Sequence, residues 1–520
     1  MARVINVPDT FNQAEFLLDR HLKEGRAKNI AAYYEDQKIT YAELAAMVNR
    51  TGNALRDLGV EIENRVMLIL SDCPEFLYSY LGAMKIGAVP VPVNTLASPQ
   101  DYRHFLNDSR AKVLVLSQDV LPKVRSVKGE LRHLRWIVVV GQASDGTLSY
   151  DELTVGASER LEAAQTSKDD MAFWMYTSGT TGLPKGAVHL HHDLIHYMYP
   201  FCEEVLEITE RDIAFSTSKM FFSYGRNSSV EMPLLYGAAT VLYPQWPDPQ
   251  KVYEIIERYR PSLFFSVPTF YAALLREAEK TELVYDLSSI RLCLSSGEAL
   301  PTSIYERWRA KFGLQILDVI GSTDVGGQYL SNRLNQVKPG SSGKLLPGFE
   351  GKLRDMEGMQ LTPGQVGTLW LKNDGIASFY WNKHQRSKEV FVGQWFNTGD
   401  LFYQDAEGYL YYQGREDDML KVSGQWVSPL EIEEILQEHP AVRESGAVGT
   451  PDESGLTRVN AFVTLNKGYQ ASPELEKKLA DFVRDRTAHF KAPRWVHFVQ
   501  ELPRTTTGKL QRHKLRQNSP

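Results

Sequence analysis

A chain of 520 residues exceeds what one hydrophobic core can organise, since cores stop growing near ~250–300 residues, so two or more domains are expected. With 43% hydrophobic and 11% aromatic residues the composition excludes a disordered chain. A formal net charge of −6 without a long basic run gives no reason to expect nucleic acid or an anionic membrane as partner.

The opening residues, MARVINVPDTFNQAEF, lack the apolar centre of a signal peptide, and no apolar run approaches the ~20 residues that span a bilayer. Three sparse cysteines, Cys73, Cys202 and Cys293, form neither a disulfide framework nor a zinc site and suit a reducing cytoplasm. A soluble cytoplasmic protein is expected. Val66–Leu70 reads as a buried strand, Pro74–Ile86 as a helix, and Val89–Val93, Ala111–Ser117 and Trp136–Val140 as further strands. A strand over Met171–Tyr176 leads into TSGTTGLPKG. A second series begins near Asp212. Its strands are expected at Ala239–Tyr243, Leu263–Val267 and Arg291–Leu294, and its helices at Pro249–Arg260, Phe270–Glu279 and Pro301–Phe312. In the first of these helices Val252, Ile255, Ile256 and Tyr259 make one apolar stripe at i, i+3, i+4 and i+7. Strand–helix alternation of this kind means parallel sheets covered by helices. Two such series predict an α/β protein with two stacked subdomains.

After about Gly340 short strands and frequent glycines, as in Gly364–Lys372 and Tyr409–Gln413, predict a small β-rich subdomain. Ser428, Pro429 and Glu431 have the spacing of a capping box that opens a helix. The last hundred residues suffice for a small α+β domain. The expected division is 1–416 and 417–520.

The loop Thr177–Gly182 offers hydroxyls that donate and glycines that let a backbone approach closely, as a phosphate grip requires. It is not a Walker A loop, which would need glycine where Pro184 stands and Ser or Thr at Gly186. Alone, it reads equally as an idle polar loop. Four more stretches accompany it. They are LSSGEAL (Leu294–Leu300), DVIGSTD (Asp318–Asp324), FNTGDL with YQGREDDMLKVSG (Phe396–Leu401, Tyr412–Gly424), and PRTTTGKLQR (Pro503–Arg512). Glycine turns at strand ends matter because ligands of open α/β sheets bind there.

In this order the set resembles the adenylate-forming acyl- and aryl-CoA synthetases, from about residue 20 to the C-terminus. FFSYG (Phe221–Gly225), YLSN (Tyr329–Asn332) and DDMLKVSGQWVSP (Asp417–Pro429) are most similar to benzoate–CoA ligases. The resemblance implies ATP, Mg²⁺ and CoA, and a carboxylic acid activated as its adenylate. Thr177, Ser178, Gly179, Thr180, Thr181 and Gly182 would hold the β- and γ-phosphates, with Lys185 supporting the loop. Gly297, Glu298 and Ala299 would flank the adenine, with Asp318, Val319 and Ile320 on its other side. Thr323 would meet the α-phosphate and Asp324 would ligate Mg²⁺. The family usually has glutamate at that place, and aspartate is shorter by ~1.5 Å. Asp400 and Arg415 would contact the ribose. Lys509 would bridge the acid and the nucleotide in the first half-reaction. The C-terminal domain would then rotate about Asp417, withdrawing Lys509 and bringing Gly424 to a pantetheine tunnel. Trp426 would wall that tunnel or pack between domains.

By the same resemblance Phe222, Ser223, Tyr224 and Gly225 line the acyl pocket opposite Ser296, Gly321 and Ser322. Val325, Gly326, Gly327 and Gln328 close its end. An aromatic wall suits a flat ring. Small residues at Gly326 and Gly327 are expected to leave room for a larger or non-planar ring. His191, His192 and His196 are expected on a helix nearby, with His192 either touching the pocket or structural. Alternatives at this stage are an enzyme that loads a carrier protein, a luciferase-type oxygenase, and a nucleotide sensor without chemistry. Oligomeric state leaves no mark in the sequence.

Overall fold

The computed structural model describes residues 6–177, 183–280, 285–355, 357–422, 425–452, 456–504 and 510–517. They fall into two compact units, Met1–Glu350 with Leu371–Phe396, and Gly351–Trp370 with Asn397–Pro520.

The first unit holds both expected α/β subdomains. In one, the strands Val89–Pro92, Arg65–Ile69, Val113–Ser117, Trp136–Val140 and Leu148–Ser149 lie side by side in that order, all parallel. The strand with two prolines sits at the edge, where a missing N–H costs no ladder bond. The helix Pro74–Lys85 is buried at every position except Glu75, as a helix packed on all sides must be. In the other subdomain six parallel strands run in the order Ile30–Tyr34, Ala239–Leu242, Ile213–Ser216, Leu263–Ser266, Leu292–Ser295 and Ile316–Gly321. Antiparallel strands flank them on both sides. Their core packs Phe215, Phe264 and Cys293 against the helices Pro249–Tyr259, Pro268–Lys280 and Thr302–Phe312. A third, antiparallel sheet joins Met171–Thr177, Lys185–Leu190 and Phe379–Tyr380.

The second unit begins with most of a small sheet in which Glu350–Arg354, Val366–Lys372, Trp395–Gln404 and Leu410–Arg415 run side by side. It ends in the expected α+β part, where Val442–Pro451, Thr457–Leu465 and Trp495–Phe498 pack with the helices Pro429–Gln437 and Pro473–Arg484. The capping box expected at Ser428 does not form. The Ser428 hydroxyl donates to the Gln413 carbonyl at 2.6 Å instead of capping the helix, and Glu431 accepts from Lys491 Nζ at 2.7 Å. Long-range partners outbid the local ones. Among the described residues no helix is long and apolar enough to cross a membrane.

Candidate active site

Neighbouring parallel strands deliver the motif residues at their carboxyl ends. Leu292–Ser295 runs into Ser296, Gly297, Glu298 and Ala299, and Ile316–Gly321 carries Asp318, Val319 and Ile320 and runs into Ser322, Thr323 and Asp324. Gly297 has φ +91°, a left-handed turn that a side chain would strain. Burial pushes the Asp318 carboxyl up to about 8, against a hydrogen bond with Ser342.

Thr177 and Lys185 pair across the antiparallel ladder, so they stand at the two ends of the loop. His104 Nε2 lies 3.2 Å from the Pro184 carbonyl at the loop exit. The Lys185 ammonium sits 4.4 Å from the ring centre of Tyr380, whose hydroxyl donates to Asp324 Oδ1 at 2.5 Å. The loop-exit cation and the strand-end carboxylate are thus joined through one tyrosine. His189 on the same sheet has Nε2 2.8 Å from the Thr323 carbonyl and Nδ1 3.0 Å from Asp193 Oδ2. It fixes the backbone of the segment that carries Thr323 and Asp324.

The strand Ile213–Ser216 leads to the short helix Ser223–Arg226. Tyr224 packs edge-on to Phe265, with ring centroids 6.1 Å apart, and both it and Phe222 stand half-buried at the helix start. A Cβ on Gly225 would stand 2.1 Å from the Lys219 carbonyl, and one on Gly321 2.6 Å from the Gly327 carbonyl. These glycines are close backbone contacts. A close contact also takes the place of the room expected at Gly326 and Gly327. The space a side chain would take at either position is filled by the Tyr197 ring, 2.6 Å from each ideal Cβ. Their smallness lets backbone lie on that ring and opens nothing. The Gly326 carbonyl accepts from Asn227 Nδ2 at 2.8 Å, from Arg226 at 3.4 Å and from Ser223 Oγ at 3.5 Å.

The profile of AMP-binding enzymes matches residues 18–381, and that of the AMP-binding enzyme C-terminal domain matches residues 431–509. The chain belongs to the AMP-binding enzyme family. This AMP-binding enzyme is 42% identical to a benzoate–CoA ligase of Thauera aromatica over 98% of this chain and 97% of that one. It is 38% identical to a 4-hydroxybenzoate–CoA/benzoate–CoA ligase of Rhodopseudomonas palustris over 98% and 94%. Of solved structures, the anthranilate CoA ligase AuaEII in complex with anthranoyl-AMP matches with a TM-score of 0.91 and 38% identity, covering 98% of both chains. A benzoate CoA ligase from Burkholderia xenovorans LB400 matches with a TM-score of 0.87 and 38% identity over 97% and 100%.

In this AMP-binding enzyme the second unit holds the expected Asp400, Arg415 and Asp417. Asp400 and Arg415 face each other across a strand pair, Arg415 Nη1 donating to Asp400 Oδ1 at 2.9 Å and to the Thr398 carbonyl at 2.9 Å. Asp417 lies in the single turn Glu416–Asp418. Ser178, Gly179, Thr180, Thr181, Gly182, Gly424, Lys509 and the Trp426 side chain lie outside the described residues. His191 and His192 precede the helix Asp193–Phe201 and only His196 lies on it. His192 Nδ1 sits 2.9 Å from the Lys168 carbonyl.

For Mg²⁺, the described residues contain no group of three or more His, Cys, Asp or Glu fit to cage a metal. A single half-buried carboxylate, Asp324, at a strand end suits an ion that arrives with the phosphates and keeps most of its shell from them and from water. Four residues of the site carry no sequence signal: His189, Tyr197, Arg226 and Tyr380. Each acts across tens of positions, such as the 134 between His189 and Thr323.

Proposed function

We propose that this AMP-binding enzyme activates a benzoate-like aromatic acid with ATP and passes the acyl group to CoA, releasing pyrophosphate and AMP. ATP-dependent acid–thiol ligation through an acyl-adenylate is the reaction of its family, and the aromatic acid is the substrate named for the relatives above. The observation that carries the reading is the Lys185–Tyr380–Asp324 chain, set where the strand ends Gly297–Ala299 and Ser322–Asp324 emerge.

In the first step a carboxylate oxygen of the acid attacks the α-phosphorus, the O–Pα bond forms, and the bond to the β-phosphate breaks. Anion meets anion, so charge must be neutralised before the barrier falls. Lys185 faces the phosphates from the loop exit, and Ser178 to Gly182 grip the leaving pyrophosphate by their place in the motif. Thr323 meets the α-phosphate, its backbone steadied by His189. Asp324 would hold Mg²⁺, whose positive charge would offset that of the phosphates. Lys509 supplies a further cation and orients the acid. In the second step the CoA sulfur attacks the acyl carbon and AMP departs with the oxygen the acid supplied.

The two profile matches leave residues 382–430 between them, which supports a domain boundary and hinge at Asp417. Rotation there would withdraw Lys509 and bring Gly424 and Trp426 to the CoA arm. Asp400 and Arg415, already aligned, suit a pair of ribose hydroxyls. Three buried, unpaired cysteines support a cytoplasmic setting.

The test is purified protein with ATP, Mg²⁺ and a panel of aromatic, alicyclic and short aliphatic acids, scored for pyrophosphate. Benzoate or a hydroxybenzoate should release it fastest, with thioester only after CoA is added. Release of ADP and phosphate would contradict the reading. Lys509→Ala should abolish adenylate formation and leave thioester formation from supplied acyl-AMP largely intact.

A further inference from the structure

Tyr380 belongs to no motif visible in the sequence, yet it touches both charged residues that face the phosphates. Its own position is over-determined. It is buried, its backbone pairs with Ala187 two residues beyond Lys185, its N–H donates to Ser387 Oγ at 3.0 Å, and its ring packs 5.2 Å from Phe391. Asp324 is held on its main-chain side as well, its carbonyl accepting from Ala377 N at 2.8 Å. The short strand Phe379–Tyr380 therefore ties the loop exit to the strand end.

Two physical consequences follow. A hydroxyl that donates to Oδ1 at 2.5 Å fixes the carboxylate plane and leaves Oδ2 as the oxygen for a cation. A ring face beneath an ammonium attracts it and narrows the arc of a long, flexible side chain. Together they give a short carboxylate and a mobile lysine a common rigid reference. The hydroxyl without the ring would place only the anion, and the ring without the hydroxyl only the cation.

We propose that Tyr380 is a positioning residue for the phosphate-activating step, orienting Asp324 towards Mg²⁺ through its hydroxyl and seating Lys185 through its ring. The proposal rests on the reading of Asp324 and Lys185 as the metal- and phosphate-facing groups. It assigns separable duties to two parts of one side chain.

The experiment is calorimetric titration of the full-length protein with α,β-methylene-ATP, across a range of Mg²⁺ concentrations and in its absence. Tyr380→Phe keeps the ring and loses the hydroxyl. The Mg²⁺ concentration for half-maximal strengthening of nucleotide binding should rise roughly tenfold, with metal-free binding within about twofold of wild type. Tyr380→Leu also unseats Lys185, so metal-free binding should weaken several-fold. Asp324→Asn should remove most of the Mg²⁺ effect, and adding Tyr380→Phe to it should cost nothing further in Mg²⁺ requirement. Thermal midpoints confirm that each variant is folded. A Tyr380→Phe protein with wild-type Mg²⁺ requirement, or additive losses in the double variant, would overturn the proposal. An unchanged Mg²⁺ requirement in Asp324→Asn would instead sink the reading of Asp324, and the proposal with it.

Discussion

Arg226 and Glu231 form an ion pair with both side chains wholly buried, Nε standing 3.2 Å from Oε1. The π-turn Asn227–Glu231 brings the two onto one side, where Tyr197 donates to Glu231 at 3.1 Å and Arg226 lies 4.0 Å over the Phe173 ring. The same arginine reaches the Gly326 carbonyl, so the pair underlies the segment proposed to close the acyl pocket. Removing one partner leaves an uncompensated buried charge, at a cost of ~3–5 kcal/mol. Glu231→Ala should lower the thermal midpoint sharply, and Arg226→Met with Glu231→Leu much less. Equal losses would show that packing, and not charge, decides this region.

Gly327 backs onto Tyr197, whose Cδ2 is 2.6 Å from the ideal Cβ. Overpacking of this kind costs ~1–3 kcal/mol, and the strain falls on the segment proposed to close the acyl pocket. Gly327→Ala should raise KM for the acid roughly tenfold and leave KM for ATP within about threefold. A rise in the ATP KM alone would place this segment elsewhere in the reaction.

Two buried histidines make the first unit less stable in acid. Burial holds His21 down to about 4 and His191 down to about 3, the latter accepting from Gln13 N at 3.1 Å. The unfolded chain takes up these protons near 6.5 and the folded chain does not. The stability they allow is full above about pH 6.5 and is lost as pH falls towards 4 and 3, at up to ~1.4 kcal/mol per pH unit for each ring. Thermal midpoints between pH 7 and 4 should show the decline, and His191→Gln should make it shallower. An unchanged slope in that variant would contradict the assignment.

Asp318 has the opposite sense. Its folded carboxyl titrates near about 8 and its unfolded one near 3.8, so the folded chain binds the extra proton between these values and stability falls as pH rises through them. Asp318→Asn removes that penalty. Its gain in thermal midpoint should be larger at pH 8 than at pH 5, and an equal gain at both would show that the carboxyl is not held neutral.

What the sequence displayed follows from range. Trp136–Val140 and the helix from Pro74 were legible because apolar runs and a proline at N1 are local signals. LSSGEAL and DVIGSTD were legible as strand-end turns for the same reason. Tyr380, 56 positions from Asp324, bears no mark of its task, because only the sheet places it there. Gly326 and Gly327 were visible as small residues, but smallness does not say which side is filled, and here it is the side of Tyr197. Ser428 looked like a cap until Gln413, 15 positions earlier, took its hydroxyl.

The central claim is that a carboxylate oxygen of the acid bonds to the α-phosphorus and leaves with AMP. Benzoate labelled with ¹⁸O in both carboxylate oxygens, turned over with ATP, Mg²⁺ and CoA, tests it directly by mass spectrometry of the nucleotide. The account predicts one ¹⁸O in AMP and none in pyrophosphate. Label in inorganic phosphate with unlabelled ADP would contradict it.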